Sequence, residues 1–369
     1  MTPPQHGGRR TSRRRVLILV VAGVLLGTGG ALFATLHSDP AATSPTAHAV
    51  GGPSGGATSA FGPSLSASAS TSALASRSPS ASAKSSPGSS LSPAGRGACT
   101  SPSACGFPDA ASTGPGTTRL TAHSGNISIR TNGMVIKGWN LTGSLDVYAD
   151  NVTVVESRIT SSNWWGVNLR PGYTGLRILH TLITGNPGAG PDGGGEDYAL
   201  SNMSEGSVEV GWSDLSVFGN TLSTGHGYIH DDYVHDLVPF ITKNGNYEHT
   251  DTVISEGGDT SGLRIEHNTL LNPVKVEQGA SSAIGLYADS GAVTDATITD
   301  NWLAGGAYTL YGGGANAARI VVTGNVFSDE FWPNCGYYGP AAYWNVGGTG
   351  NVWSGNVYRN GKPVVAPVK

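Results

Sequence analysis

Between residues 130 and 360 one eight-residue phrase recurs: apolar, any, apolar, any, any, small polar, any, apolar. It reads "NVTVVESRI" ending at Ile159, "LRILHTLI" at Ile183, "VEVGWSDL" at Leu215 and "GYIHDDYV" at Val234. It continues as "LRIEHNTL" at Leu270, "ATITDNWL" at Leu303 and "IVVTGNVF" at Phe327, with weaker copies in "MVIKGWNL" before and "VWSGNVY" after. The apolar positions alternate as a half-buried strand requires, because successive strand side chains leave on opposite faces. The sixth position interrupts that alternation at a fixed place. It is Ser157, Thr181, Ser213, Asp232, Asn268, Asn301, Asn325 and Asn356. Stacked, such residues hydrogen-bond along their own column, as asparagine ladders do at the corners of piled coils.

A second strand precedes most copies and ends at glycine or a turn, as in "SLDVYADN", "WGVNLRPG", "SAIGLYADSG", "AYTLYGGG" and "AAYWNVGG". Each unit therefore reads strand, turn, strand, turn. Successive phrases end 18 to 36 residues apart, so loops of different length decorate a regular coil. Folded domain and helical periodicity do not coincide anywhere. A β-propeller requires four strands per blade at a steadier period. The pattern predicts an all-β chain wound as a β-solenoid, whose apolar column is buried only when neighbouring coils stack.

The chain before the repeat is of three kinds. Residues 1–15 are basic, with Arg9, Arg10 and Arg13 to Arg15. Residues 16–36 carry no charge, a length that suits a membrane-spanning signal-anchor or a signal peptide with its arginines in the cytoplasm. "SRRRVLI" resembles a twin-arginine export signal, and Ala47 to Ala49 a cleavage site. Residues 37–104 are dominated by Ser, Ala, Pro, Gly and Thr; they bury too little apolar surface to fold and read as a disordered linker. The expected β-solenoid domain is 105–369.

Of 21 Lys/Arg and 25 Asp/Glu, thirteen and twenty-four lie beyond Cys105, leaving that region near −11. Such a balance excludes nucleic acid as a partner and means that an acidic polymer would need a basic cleft or bridging calcium. The three cysteines, Cys99, Cys105 and Cys335, lack metal-ligand spacing. Outside the cell, Cys99 and Cys105 can close a small loop and leave Cys335 odd.

The unit style resembles the right-handed parallel β-helix family, the pectate-lyase-like superfamily. More narrowly, "CGFPDAASTGPG", "YVHDL", "HTD", "GAYTLYGGG" and "YYGPAAYWNVGGTGNVWSGNVY" are similar to an uncharacterised subgroup of secreted β-helix proteins from Gram-positive bacteria. The resemblance covers about 105–360. It implies the fold and, because the superfamily holds lyases, hydrolases, epimerases and binding proteins, no single activity.

"EHTDTVISEGG", residues 248–258, is the stretch the repeat leaves unexplained. It belongs to the first strand of its unit, which in the family lines the binding groove. In related-looking sequences this place reads His-Ser-Asp-Gly; here it is His-Thr-Asp-Thr, without the glycine. Residues two apart leave on one face, so His249 and Asp251 point outward if Ile254 points inward. The equal spacing of Leu169 to Gly172 and Ile254 to Gly257 favours that register, although a bulge near Asp251 would alter it. By contrast, "YIHDDYVHDL" at 228–237 is absorbed by the repeat, and "GHG" at 225–227 lacks the companion motifs of polygalacturonases.

Two mechanisms fit these residue types. A lyase takes the proton beside a uronate carboxyl with a base such as Lys243, His249 or Tyr287, while Arg170 or calcium neutralises the carboxylate. A glycosidase pairs Asp251 with Glu256 or Asp289. Trp164, Trp165, Asn168, Tyr148 and Tyr311 would contact sugar, and Asp251 with Asp289 would supply calcium oxygens. The expectation is an extracellular, surface-tethered or secreted monomer acting on polysaccharide, lyase before hydrolase. A non-catalytic glycan-binding or adhesion module is the alternative.

Overall fold

The computed structural model describes residues 98–188, 190–191, 195–255 and 260–368; the expected cytoplasmic, apolar and almost all of the linker segments lie outside them. The described chain winds into three sheets of ten, nine and nine strands, and each strand pairs in parallel with the strand three places further along the chain. This is a parallel β-helix. Among the described residues no helix is long and apolar enough to cross a membrane.

The core is a column of same-type stacks. Val154, Ile178, Val210, Ile229, Ile265, Ile298 and Val322 succeed one another on one sheet, each buried. Coils stack about 4.8 Å apart, so each side chain packs between close copies of itself, and no coil could bury its apolar face alone.

Each coil holds three strands, not the two expected. The phrase is itself broken: "LRIL" forms Leu176–Leu179 on one sheet and "LITG" forms Leu182–Gly185 on the next. The break falls at its fifth position, which takes a left-handed backbone conformation. Glu156, His180, Trp212, Asp231, His267 and Asp300 all have φ between 46° and 56° there. A left-handed conformation is disfavoured for Glu and Trp, while Asp and His tolerate it better, and in three further copies the same position is glycine, Gly138, Gly324 and Gly355, also with positive φ.

What holds the bend is the sixth position. The Asn301 Oδ1 accepts from the backbone N–H of Asn268 at 3.0 Å and from its amide at 2.9 Å. Asn325 does the same for Asn301, and Asn356 for Asn325. Each amide also donates to a carbonyl of the preceding coil, Asn268 to Ile229 and Asn301 to Ile265. In the earlier coils hydroxyls do part of this: Ser213 Oγ accepts from the Thr181 N–H at 3.3 Å, and Ser157 Oγ from that of Trp139 at 3.0 Å. These groups are buried, so each bond also avoids an unpaired polar atom.

Residues 98–118 run back along the outside of the coil as a strap. Cys99 donates its N–H to Arg359 on the last coil, Pro108 accepts from Thr269, Gly114 donates to Trp212, and Thr118 reaches Glu156. Cys99 and Cys105 form a disulfide, and Cys335 is a buried free thiol. Cys99 and Phe107 pack with Leu271, Trp302, Ala304 and Val326 in a second apolar cluster, which covers an outward face of the coil.

Asp232 is the carboxylate in the ladder. Its Oδ1 accepts from the Ser213 N–H at 2.7 Å, but its buried Oδ2 has no partner, and burial raises its proton affinity far above the ordinary range. An amide there would donate toward the preceding coil as Asn268 does. Asp232→Asn is therefore expected to stabilise the domain by about 1 kcal/mol and to flatten its loss of stability with rising pH, both read from chemical unfolding at several pH values.

Candidate functional site

The strand Thr250–Ser255 is buried along its whole length. Val253, not Ile254, joins the core cluster, which corrects the register inferred from glycine spacing. Asp251 nonetheless faces outward. Thr252 has no partner in the pairing with either neighbouring strand, while Asp251 pairs with Asn220 and Ser282, and Val253 with Leu222 and Ile284. The ladder is also shifted between Thr250 and Asp251. A local bulge of this kind turns two consecutive side chains off the strict alternation. The face is fixed by Tyr287. Its ring covers Gly285, where a Cβ would lie 2.2 Å from the ring, and Gly285 pairs with Ile254 and Tyr311 on the outer side.

The Asp251 Oδ1 accepts from the Tyr287 hydroxyl at 3.0 Å and from the Ser282 hydroxyl. Its Oδ2 is buried without a partner. Burial pushes its pKa up to about 6 against the opposing hydrogen bonds of Ser282 and Tyr287 and the charge of His249. Burial and the neighbouring Asp251 push the Tyr287 phenol well above its usual range.

Two further carboxyls sit beside this row. Asp197 is buried, its Oδ1 accepting from the Asn220 amide at 3.0 Å. Burial is the main reason its pKa rises to about 7, with the charge of Glu248 adding to the rise and Tyr198 and Asn220 opposing it. Glu196, also raised by burial, reaches about 8 while accepting from the Asn186 N–H. The cover is Phe240. Its ring closes over Gly195 and Gly219, where a Cβ would come within 2.0 and 2.7 Å of it. Phe240 belongs to residues 237–249, which end in a tight turn closed by Thr242 and Asn246.

The predicted site residues divide into two groups along the groove. At one end Arg170 pairs with Asp146 at 3.0 Å and lies over Tyr148 and Trp165 at 5.3 and 5.1 Å. Arg130 covers Tyr148 at 4.3 Å. Asn168 is buried with its amide on the Met203 sulfur, and the Trp164 carbonyl holds the N–H groups of Asp197 and Tyr198. Three strand steps from the Trp165–Leu169 strand, about 14 Å, stands Asp251, with Tyr287 and Tyr311 one and two steps farther. His249 is exposed, its Nδ1 on the Ser281 hydroxyl at 2.9 Å. Lys243 is exposed on the tight turn and Asp289 on the turn after Ala280–Leu286. Glu256 lies outside the described residues. Among the described residues no His, Cys, Asp or Glu group forms a metal-binding set. The Asp251 partners are hydroxyls that donate to it, which is not the oxygen shell that calcium takes.

From Asp251 a ladder of tyrosines leads away. Tyr287 and Tyr311 lie 5.2 Å apart, and Tyr311 and Tyr343 stack at 5.5 Å. Tyr308 touches both Tyr311 and Tyr338 at 5.6 Å. Tyr338 and Tyr343 are well exposed. Sequence reasoning missed Asp197, Asn220, Ser282 and Phe240. Its available signal was "EDY" directly ahead of the strand Tyr198–Asn202, at the end of a glycine-rich insertion. Comparison with protein-family models, with curated proteins and with solved structures gives no match.

The raised carboxyls set a pH dependence. In the unfolded chain they titrate near ~4; folded, Asp251, Asp197 and Glu196 titrate at about 6, 7 and 8. The folded state then holds more protons, so stability is fullest below the unfolded pKa and falls as pH rises through the folded ones. His235, raised by Asp214 and Asp236 against burial, and His267, raised by Asp231, act in the same direction. Asp231 opposes them. Burial pulls it upward, but hydrogen bonds from His230 and His267 bring it to about 2, and its contribution is lost only in stronger acid. The melting temperature should therefore fall steadily from about pH 5 to pH 8, and Asp251→Asn should reduce that slope in scanning calorimetry.

Proposed function

We propose that this chain is a glycoside hydrolase of the right-handed, pectate-lyase-like β-helix type, working as a monomer outside the cytoplasmic membrane and tethered or secreted through its N-terminal segments. The carrying observation is Asp251, a buried carboxyl with a raised pKa and an unpartnered oxygen, at the head of the tyrosine ladder. Of Asp251 and Asp197, both raised by burial, Asp197, at about 7, keeps its proton nearer neutrality and suits the general acid for a leaving glycosidic oxygen, while Asp251, at about 6, ionises first and suits the base. The exposed Tyr338 and Tyr343 at the far end of the tyrosine ladder offer aromatic surface on which sugar rings stack their C–H faces.

Hydrolysis is favoured over elimination by where the cations are. Arg170 is engaged with Asp146 and lies three strand steps from Asp251, and Tyr287 holds its proton too tightly to serve as a base. An elimination needs both a competent base and a cation on the carboxylate. Asp197 is the second carboxyl. Its strand is two steps from that of Asp251, so the backbones are ~10 Å apart, which suits the wider, inverting spacing in which a water stands between base and sugar. Phe240 and the Asp197 carboxyl both lie against Gly219, and Asp197 is buried, so substrate entry requires residues 237–249 to move aside.

A second reading, a glycan-binding module, is favoured by the complete burial of Asp251 beside exposed Tyr338 and Tyr343. Incubation of the purified chain with a polysaccharide panel separates the two. The hydrolase reading expects new reducing ends of inverted anomeric configuration by NMR, with no absorbance gain near ~230 nm, and a loss of at least ~100-fold in kcat for Asp251→Asn. Unsaturated products would make it a lyase. Retention on a polysaccharide without any product would make it a binding module.

A further inference from the structure

A cleft of about 420 Å³ opens at the last coils, away from Asp251. Pro333, Tyr338 and Pro340 form one wall; Tyr358, Asn360 and Lys362 form the other. Asn334 also lines it. The second wall is a tight turn held by Tyr358 N–H to Lys362 O and Gly361 N–H to Tyr358 O, both at 2.8 Å. The first is pinned by Tyr338 N–H to Ala307 O at 2.8 Å and by the strand Gly339–Ala342. Both sides are thus formed before any ligand arrives, and the volume lies in the range of small-molecule sites.

The lining has a definite chemistry. It offers two tyrosine rings, two side-chain amides and one charged group, the Lys362 ammonium, with no carboxylate among the lining residues. Lys362 forms no ion pair among the described residues. The nearby acid Asp329 is engaged by Arg359. Tyrosine faces take the C–H face of a sugar ring, amides pair with its hydroxyls, and an ammonium without a counter-charge, here the exposed Lys362, selects an anionic substituent. We infer that this cleft is a binding site for a single sugar unit bearing one acidic group, a carboxylate or a phosphate. It shares Tyr338 with the far end of the tyrosine ladder that leads from Asp251, and it does not depend on the reaction proposed there. In a region whose net charge is near −11, a local cation is what admits an acidic ligand at all.

The test is calorimetric titration and saturation-transfer NMR of the full chain, in mild detergent, with glucose, glucuronic acid and glucose 6-phosphate. At least one acidic sugar should bind roughly tenfold more tightly than glucose, as expected for one charge-assisted contact; which of the two does so identifies the acidic group. Lys362→Met should remove that preference, Tyr338→Ala should weaken all binding, and Asp251→Asn should leave binding unchanged. Equal binding of glucose and both acids, no binding of any of them, an unaffected Lys362→Met variant or an unaffected Tyr338→Ala variant would overturn the assignment. Loss of binding in Asp251→Asn would also overturn it, by placing the ligand in the groove. Turnover of polysaccharide by Lys362→Met at the parent rate would be compatible with the cleft and would leave the hydrolase reading intact; absence of turnover in the parent chain would fail that reading alone.

Discussion

The fold depends on one repeated device: a left-handed backbone bend whose cost is met by the polar side chain that follows it. From Glu156 to Asp300 the bend is made by residues with no intrinsic preference for it, other than the aspartates and histidines, and a lone instance would be strained. Stacked, each bend is tied to the next coil by the ladder from Ser157 to Asn356. The ladder also explains the tolerance for insertions. Because the corner is tied to its neighbours above and below, the loops leaving the other corners can differ in length without changing the angle at which strands meet.

The groove inherits its geometry from that regularity. Asp251, Ser282 and Tyr287 are brought together because consecutive coils present equivalent strand positions side by side, even though they are up to 36 residues apart in sequence. Burial then sets their chemistry. Burial outweighs the hydrogen bonds to these carboxyls, and at Asp251 also the charge of His249, and leaves Asp251, Asp197 and Glu196 in surroundings that favour the neutral carboxyl. The same residues reduce stability when they ionise, so the groove trades robustness at high pH for proton-donating groups near neutrality.

Much of the architecture was legible from local spacing. The column Ser157 to Asn356, the nine phrases and the Cys99–Cys105 loop all rest on short-range pattern, and the structure stacks each phrase on the next and closes the disulfide. The third strand per coil was missed: glycine marks the bend at Gly138, Gly324 and Gly355, but copies with Glu156 or Trp212 there carry no turn residue, so the strand reads as continuous. The outward direction of Asp251 was reached by the wrong route. The spacing argument placed Ile254 in the core, whereas Val253 lies inside, and the ladder is irregular between Thr250 and Asp251, just where Asp251 turns out. Asp197 was hidden for a different reason: its amide partner Asn220 and its neighbour at Gly219, Phe240, lie some twenty and forty residues later, and no local pattern encodes such surroundings.

The strap has a mechanical consequence. The described chain enters at the last coil, where Cys99 is bonded to Arg359, and must run the length of the molecule before it joins the first coil near Thr121. A pull on residue 98 is therefore borne first by the disulfide loop and by Phe107 wedged against Trp302. It acts along the stacking direction, in shear across many contacts, and does not peel the terminal strand away one bond at a time. A domain held from that point would resist tension with its coils still stacked and its groove undistorted.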